Sequence, residues 1–521
     1  MPESSLAPED AAPGRATGAS MPAWLPALLA AVAALLLYAV TLGGSYVYDD
    51  VLLQEDARYT HPSLWYQFWT RDYSPGTLDK LYRPLTCMTL AVEYTLHGDR
   101  PWLYHLVNTL LHAAAAAAVA ELGRRLLNAR VGLVAGVLFA VHPVHVEAVA
   151  GLVGRAEILC TLATVGALLL FLRPMTGRRA AAIAALLIAA LLSKEQGVLL
   201  PAMLLAIVPF RRKILHIPTT SDNARSERGA MNGLTLAVCF ITAGYMFFRE
   251  TLLGFEWDRS LLEWAANPLV RSAGADRLFM PFVLLGRYLL LLIAPIRLSL
   301  DYGAHVIGWT VDWRQPYVYL GMATLAAWSI TLALAARRRR WAIVFCLLAL
   351  ALSYGMISNA IILIGTIFGE RLMYMPSAFF LILIAALLCR VCRPPSLCIV
   401  VGILIALACV RSFTYGRRWN HPLGLYLSNL HENPRSLRLH ALAYYEYEKR
   451  GNWAAARAIG KDSVRQVPDC YESYVMCVDP DLKLHDFTDA EAAAIEAGRH
   501  CPGIRSAMLY GDVEAEKKKN R

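Results

Sequence analysis

Short clusters of acids and bases stand at the ends of long apolar runs throughout this chain. Asp49 and Asp50 follow the first such run, directly behind Tyr48. Adjacent carboxylates suit general-base work, because one takes a proton while the other holds a hydroxyl or raises its neighbour's pKa. Arg83, Arg155, Lys194 and Arg371 each arrive from a separate part of the chain. Converging cationic side chains suit an anionic phosphate, which accepts several charge-assisted hydrogen bonds. Around these bases lie His142, His145, Glu147, Glu157, Glu195 and Glu370, and one polar stretch adds Glu93, His97, His105, Asn108 and His112. His142 and His145 stand three apart across Pro143 with no third ligand in evidence, so the pair does not read as a metal centre. Taken singly, an acidic pair is also what a solvated loop carries, and a lone Arg or Lys also snorkels or pairs locally. Recurrence at one end of several apolar runs is what marks a site, since charge at membrane depth costs a few kcal/mol per group at least.

The elements that must position these clusters follow from composition. Of 521 residues, 57% are hydrophobic and only 17% charged, which is not a soluble balance. The 34 Gly show no period of three and the 11 Cys are sparse, so collagen and disulfide scaffolds are excluded. A helix needs roughly 20 apolar residues to cross about 30 Å of hydrocarbon. Eleven crossings are expected, near residues 23–42, 103–122, 131–150, 157–172, 179–193, 197–210, 230–248, 316–336, 341–358, 373–389 and 397–410. Basic residues gather in alternate short loops: Arg124, Arg125 and Arg130; Arg173, Arg178 and Arg179; Arg211, Arg212, Lys213, Arg225 and Arg228; Arg337 to Arg340; Arg390 and Arg393. Those loops are therefore expected in the cytoplasm, with the N-terminus, and the acid–base clusters outside it. Orientation thus accounts for the net charge of +10 without a nucleic-acid partner. The run 279–296 is expected to re-enter or lie in the interface, because another crossing would put Arg337 to Arg340 on the wrong face.

The fold class is accordingly all-α, a polytopic helix bundle. Residues 1–22 read as a disordered cytoplasmic N-terminus that is not a cleaved signal. Residues 23–410 form the membrane domain with outer loops 43–84 and 249–314, and 411–433 a linker. Pro434, Pro468 and Pro502 then stand 34 residues apart, the period of a tetratricopeptide helix pair. Two such pairs are expected over 434–502, and 503–521 as a charged tail ending in the solvated Lys517 to Lys519. Cys470, Cys477 and Cys501 allow at most one disulfide, and Cys389 with Cys392 reads as inert.

In chain order the motifs are Tyr48-Asp49-Asp50, Tyr82-Arg83-Pro84-Leu85, His105 with Asn108 and His112, Val141 to Val149, Gly154-Arg155-Ala156-Glu157, Ser193-Lys194-Glu195 and Glu370 to Ser377. This set resembles the transmembrane and tetratricopeptide-repeat-containing protein O-mannosyltransferases, over residues 23–410 and in the tail period. The repeat array is far shorter than is usual in eukaryotic members, and residues 249–314 match only through fragments such as Asn267-Pro268 and Asp301-Tyr302.

The resemblance implies a GT-C glycosyltransferase fold. It also implies transfer of a sugar, most readily mannose, from a polyisoprenyl (dolichyl) phosphate donor to Ser or Thr of an acceptor protein or peptide. The reaction would lie on the extracytoplasmic face, in the endoplasmic reticulum lumen or a bacterial periplasm, with Asp49 and Asp50 at its centre. The physical reading agrees: a lipid phosphate enters from the bilayer, cations meet it at the boundary, and an attacking hydroxyl loses its proton. One displacement inverts the anomeric carbon. Neither cofactor nor metal is expected, because Arg and Lys stabilise the leaving phosphate. A transporter would place its charges near the midplane rather than at one face. A non-catalytic scaffold displaying the repeats would have no use for Asp49 and Asp50.

Overall fold

The computed structural model describes residues 21–73, 80–215, 223–254 and 266–520, and among these the chain forms helices and no strand. The segment expected to be disordered lies outside them up to residue 20, as do 74–79 and 255–265 of the two outer loops.

Every expected crossing coincides with a helix. Among the described residues seven helices are long and apolar enough to span a bilayer: Leu25–Gly43, Pro101–Leu126, Leu152–Phe171, Glu227–Leu253, Pro316–Arg337, Arg371–Val391 and Pro394–Arg418. A bent pair, Ala129–Val141 with Pro143–Ala150, folded by 51°, is long and apolar enough to make an eighth when its two helices are taken together. The remaining three, Gly177–Ser193, Leu199–Leu215 and Trp341–Ile357, have 17 residues each. They rise about 26 Å, so length alone does not carry the count of eleven. The protein is a multi-pass membrane protein.

Lipid tails give helices no hydrophobic reason to associate, so close van der Waals packing between small residues has to hold the bundle. The alanine-rich helix Pro101–Leu126 packs on both Leu25–Tyr38 and Ala129–Val141. At the second contact a Cβ on Gly136 would lie 2.4 Å from that of Ala120, so the crossing tolerates nothing larger than glycine there. The bend after Val141 follows from Pro143, which has no N–H to continue the helix.

The apolar run 279–296 belongs to a 20-residue helix, Gly274–Ile293. Near its start Arg277 bonds the Ala360 carbonyl, and near its end Tyr288 bonds Gly369 while the Leu292 carbonyl meets His142. Ala360 and Gly369 lie in one loop between consecutive helices, so two points of this helix meet the same loop.

The tail is more structured than the sequence implies. The expected linker is the end of Pro394–Arg418 followed by Pro422–Glu432. Two helix pairs follow, Leu437–Glu448 with Trp453–Gln466 and Tyr471–Lys483 with Phe487–His500. Ala456 and Ala490, 34 residues apart, are both wholly buried. The last stretch is a helix, Ile504–Lys519, which buries Leu509 and Val513 against Tyr474 and Val478. Its Lys518 and Lys519 are exposed, and the half-buried Lys517 pairs with Glu491 at 2.6 Å. Cys470, Cys477 and Cys501 are free thiols.

The face of the membrane on which the tail lies is testable. Tyr445 is 54% exposed on the first tail pair. Tyr445→Cys should react with an impermeant maleimide from the extracytoplasmic side, and labelling only from the cytoplasm would reverse the orientation.

Candidate active site

Beyond the first crossing the chain makes a tight turn, Tyr48–Val51. Tyr48 adopts φ +60°, a left-handed conformation that costs a bulky residue roughly 1 to 3 kcal/mol. It is held there from both ends: its N–H donates to the Tyr426 hydroxyl at 2.9 Å, and its own hydroxyl accepts from Arg438 at 2.9 Å. The two following carboxylates face opposite ways. Asp50 is buried, and its oxygens accept the Val153 N–H at 3.1 Å and the Val47 N–H at 3.5 Å. Burial pushes its pKa up to about 7, against the lowering pull of the Leu152 and Val153 amides. The Asp49 side chain is 40% exposed and accepts from Arg371 at 2.8 Å. Asp50 therefore shapes the loop, and Asp49 is the carboxylate a substrate can reach.

Arg371 spans two acids. Its guanidinium also lies 3.4 Å from Glu147, whose other oxygen takes the Arg371 main-chain N–H at 2.9 Å. A second set of charges lies alongside. Arg83 makes a two-pronged pair with Glu195 at 2.8 to 3.2 Å and covers the Tyr73 ring. Lys194 forms a buried ion pair with Glu157, whose second oxygen has no partner.

Arg155 has to be withdrawn from the phosphate-binding set. It is fully enclosed, with Glu93, Asn108 and the Tyr104 carbonyl taking its donors. It joins three segments and offers nothing to a ligand. Lys194 is nearly as enclosed, at 8% exposure, whereas Arg83 keeps 15% and Arg371 29%. Neither His142 nor His145 has a ring nitrogen to give a metal. His142 bonds Leu292 and Val144, and His145 bonds Phe139 and Ser377. They brace the bent span. Glu370 is also turned inward, accepting from the Ser299 N–H at 2.6 Å and the Tyr302 hydroxyl at 2.7 Å. Among the described residues the one cluster with metal-ligand spacing is Asp481, Asp486 and Asp489 in the tail. Arg457 bridges all three and Lys461 reaches Asp489, which offsets most of their charge.

Beside Arg83 runs an apolar groove of 320 Å³, lined by Trp69, Tyr82, Leu191, Ile241, Tyr245 and Phe248 among others. Its walls come from Gly177–Ser193 and Glu227–Leu253 and from the loop that carries Arg83. Tyr82 of this groove is the chain neighbour of Arg83, and an apolar groove next in sequence to a partly open guanidinium suits a molecule with an anionic head and a hydrocarbon tail.

Residues 83–220 match the family model of dolichyl-phosphate-mannose-protein mannosyltransferases. A protein O-mannosyl-transferase of Caenorhabditis elegans is 26% identical over 430 residues, covering 77% of this chain and 57% of the relative. The mouse protein O-mannosyl-transferase TMTC4 is 28% identical over 510 residues, covering 84% and 66%. Mouse TMTC3 reaches 40% identity over 123 residues, 22% of this chain and 13% of the relative. Over most of its length the chain is similar to the TMTC-type protein O-mannosyl-transferases. It spans 57% to 66% of the length of the first two of these relatives.

Reasoning from sequence missed Tyr48 as an anchor and Arg438 altogether. The two stand 390 residues apart, and no spacing rule links them.

Two outcomes follow for stability. Arg155→Gln should lower the melting temperature strongly, because removing one partner of a buried pair costs about 3 to 5 kcal/mol. Asp50, with its folded pKa above the ordinary 3.8, contributes stability that is complete below about pH 4 and lost as pH rises through about 7. Asp50→Asn cannot titrate, so thermal unfolding followed across that window should show a flatter decline than wild type.

Proposed function

We propose that this protein transfers mannose from a polyisoprenyl phosphate to Ser or Thr hydroxyls of proteins at the face carrying Asp49, with Asp49 as general base. The observation that carries the reading is the exposed Asp49 carboxylate at the end of the first crossing, beside Arg371. The names of the relatives and the matched family support the sugar and the protein acceptor.

In this reading Asp49 takes the hydroxyl proton as the acceptor oxygen bonds to the anomeric carbon. The bond from that carbon to the phosphate oxygen breaks, the electron pair leaves with the lipid phosphate, and the configuration inverts. Arg371 and Arg83 meet the phosphate, and the aromatic groove beside Arg83 takes the isoprenyl chain. A phosphate arriving at Arg371 competes with Asp49 for the guanidinium. Asp49 then loses a counter-charge and becomes the stronger base when the donor is in place.

The test is transfer of labelled mannose from a polyprenyl phosphate to Ser/Thr peptides by the purified protein. Asp49→Asn should still bind donor yet lose about 10²- to 10⁴-fold in rate, whereas Asp50→Asn should lose much less. Undiminished transfer in Asp49→Asn would move the base to Glu147. Arg83→Gln and Arg371→Gln should each weaken donor binding by about tenfold or more, the worth of a hydrogen bond to a charged group; equal donor affinity in both would remove them from the phosphate site.

A further inference from the structure

The tail and the reaction loop form a closed circuit of hydrogen bonds. Asp49 binds Arg371, and the adjacent Glu370 holds Ser299 and Tyr302. Two residues on, Asp301 accepts from Ser436 at 2.6 Å through its carboxylate and from Asn433 at 3.0 Å through its carbonyl. Ser436 caps the tail helix Leu437–Glu448, so its hydroxyl fixes the helix start to the loop. From the first turn of that helix Arg438 returns to the Tyr48 hydroxyl, one residue from where the circuit began. Asp49 and Asp301 both lie close enough to Arg438 for their charges to act on it.

Two independent features make Arg438 more than a surface contact. Tyr48 sits in a backbone region that L side chains rarely adopt, so it needs external restraint. Tyr426, also from the tail side of the last crossing, supplies the restraint on its N–H. Relaxing Tyr48 toward negative φ would rotate the next residue, and that residue is Asp49. Resting on the reading of Asp49 as base, we propose that Arg438 is a positioning residue: the first tail helix sets the aim of the Asp49 carboxylate through the Tyr48 phenol. The tail is then a working wall of the reaction centre.

The test uses the full chain in lipid nanodiscs with polyprenyl-phosphate mannose and a Ser/Thr peptide. Arg438→Gln and Tyr48→Phe should each lower kcat by about tenfold, as a small displacement of a catalytic group does, with KM for donor and peptide within about twofold of wild type. The double variant should be no slower than Arg438→Gln alone, because Tyr48→Phe removes a bond that Arg438→Gln has already lost. Arg438→Lys should recover most of the rate, since an ammonium still donates to the phenol. Amide hydrogen exchange across 47–51 should quicken in Arg438→Gln, and this readout needs no activity. A wild-type kcat in Arg438→Gln, multiplied losses in the double variant, a raised peptide KM with kcat unchanged, or unaltered exchange would each overturn the assignment. If wild-type protein transfers no mannose, the functional reading above fails instead, and exchange alone then decides whether Arg438 holds the loop.

Discussion

Arg371 is the interaction on which the arrangement turns. A guanidinium at the head of a membrane helix is stable only if its charge is balanced, and it is balanced by Asp49 from the first crossing and Glu147 from the bent third one. Three segments far apart in sequence are thereby fixed at one point. The main-chain N–H of the same residue goes to Glu147 as well, so the contact positions backbone as much as side chain. The packing of small residues lower in the bundle permits this convergence, because helices that approach as closely as Gly136 and Ala120 leave little freedom above.

The charges divide by depth into two kinds. Arg155 with Glu93 and Lys194 with Glu157 are closed pairs that pin loops together. Arg83 and Arg371 are paired yet still partly open, and both border the face where Asp49 is exposed. A low-dielectric setting strengthens all four pairs, but only the open ones can exchange a protein carboxylate for an anion arriving from outside without unfolding anything.

Much of this was legible in the sequence, for identifiable reasons. Apolar runs near 20 residues declare themselves because the bilayer fixes their length, and all eleven expected segments fall on helices. The polar clusters stood out because charge in lipid is costly. What could not be read was the direction each side chain takes. Asp49 and Asp50 are neighbours of one type, and only their partners distant in sequence, Arg371 for Asp49 and Val153 for Asp50, tell them apart. Arg155 looked like its fellow cations because its enclosure comes from Asn108 and Glu93, on two other helices. The tail misled in a different way. Its 34-residue period stood out, but prolines mark where pairs begin and say nothing of the helix Pro422–Glu432 before them or Ile504–Lys519 after them.

The tail also has a grain. Tyr426, Asn429, Asn433, Ser436 and Arg438, which bond the loops around Asp49, all belong to its near end. Further along, each helix packs chiefly on its neighbours, as stacked units do, so mechanical coupling to the near end fades with distance. Units could therefore be gained or lost at the far end with the anchoring turn untouched. Such changes would alter how far the tail reaches without disturbing the bonds that hold the loop of Tyr48 and Asp49.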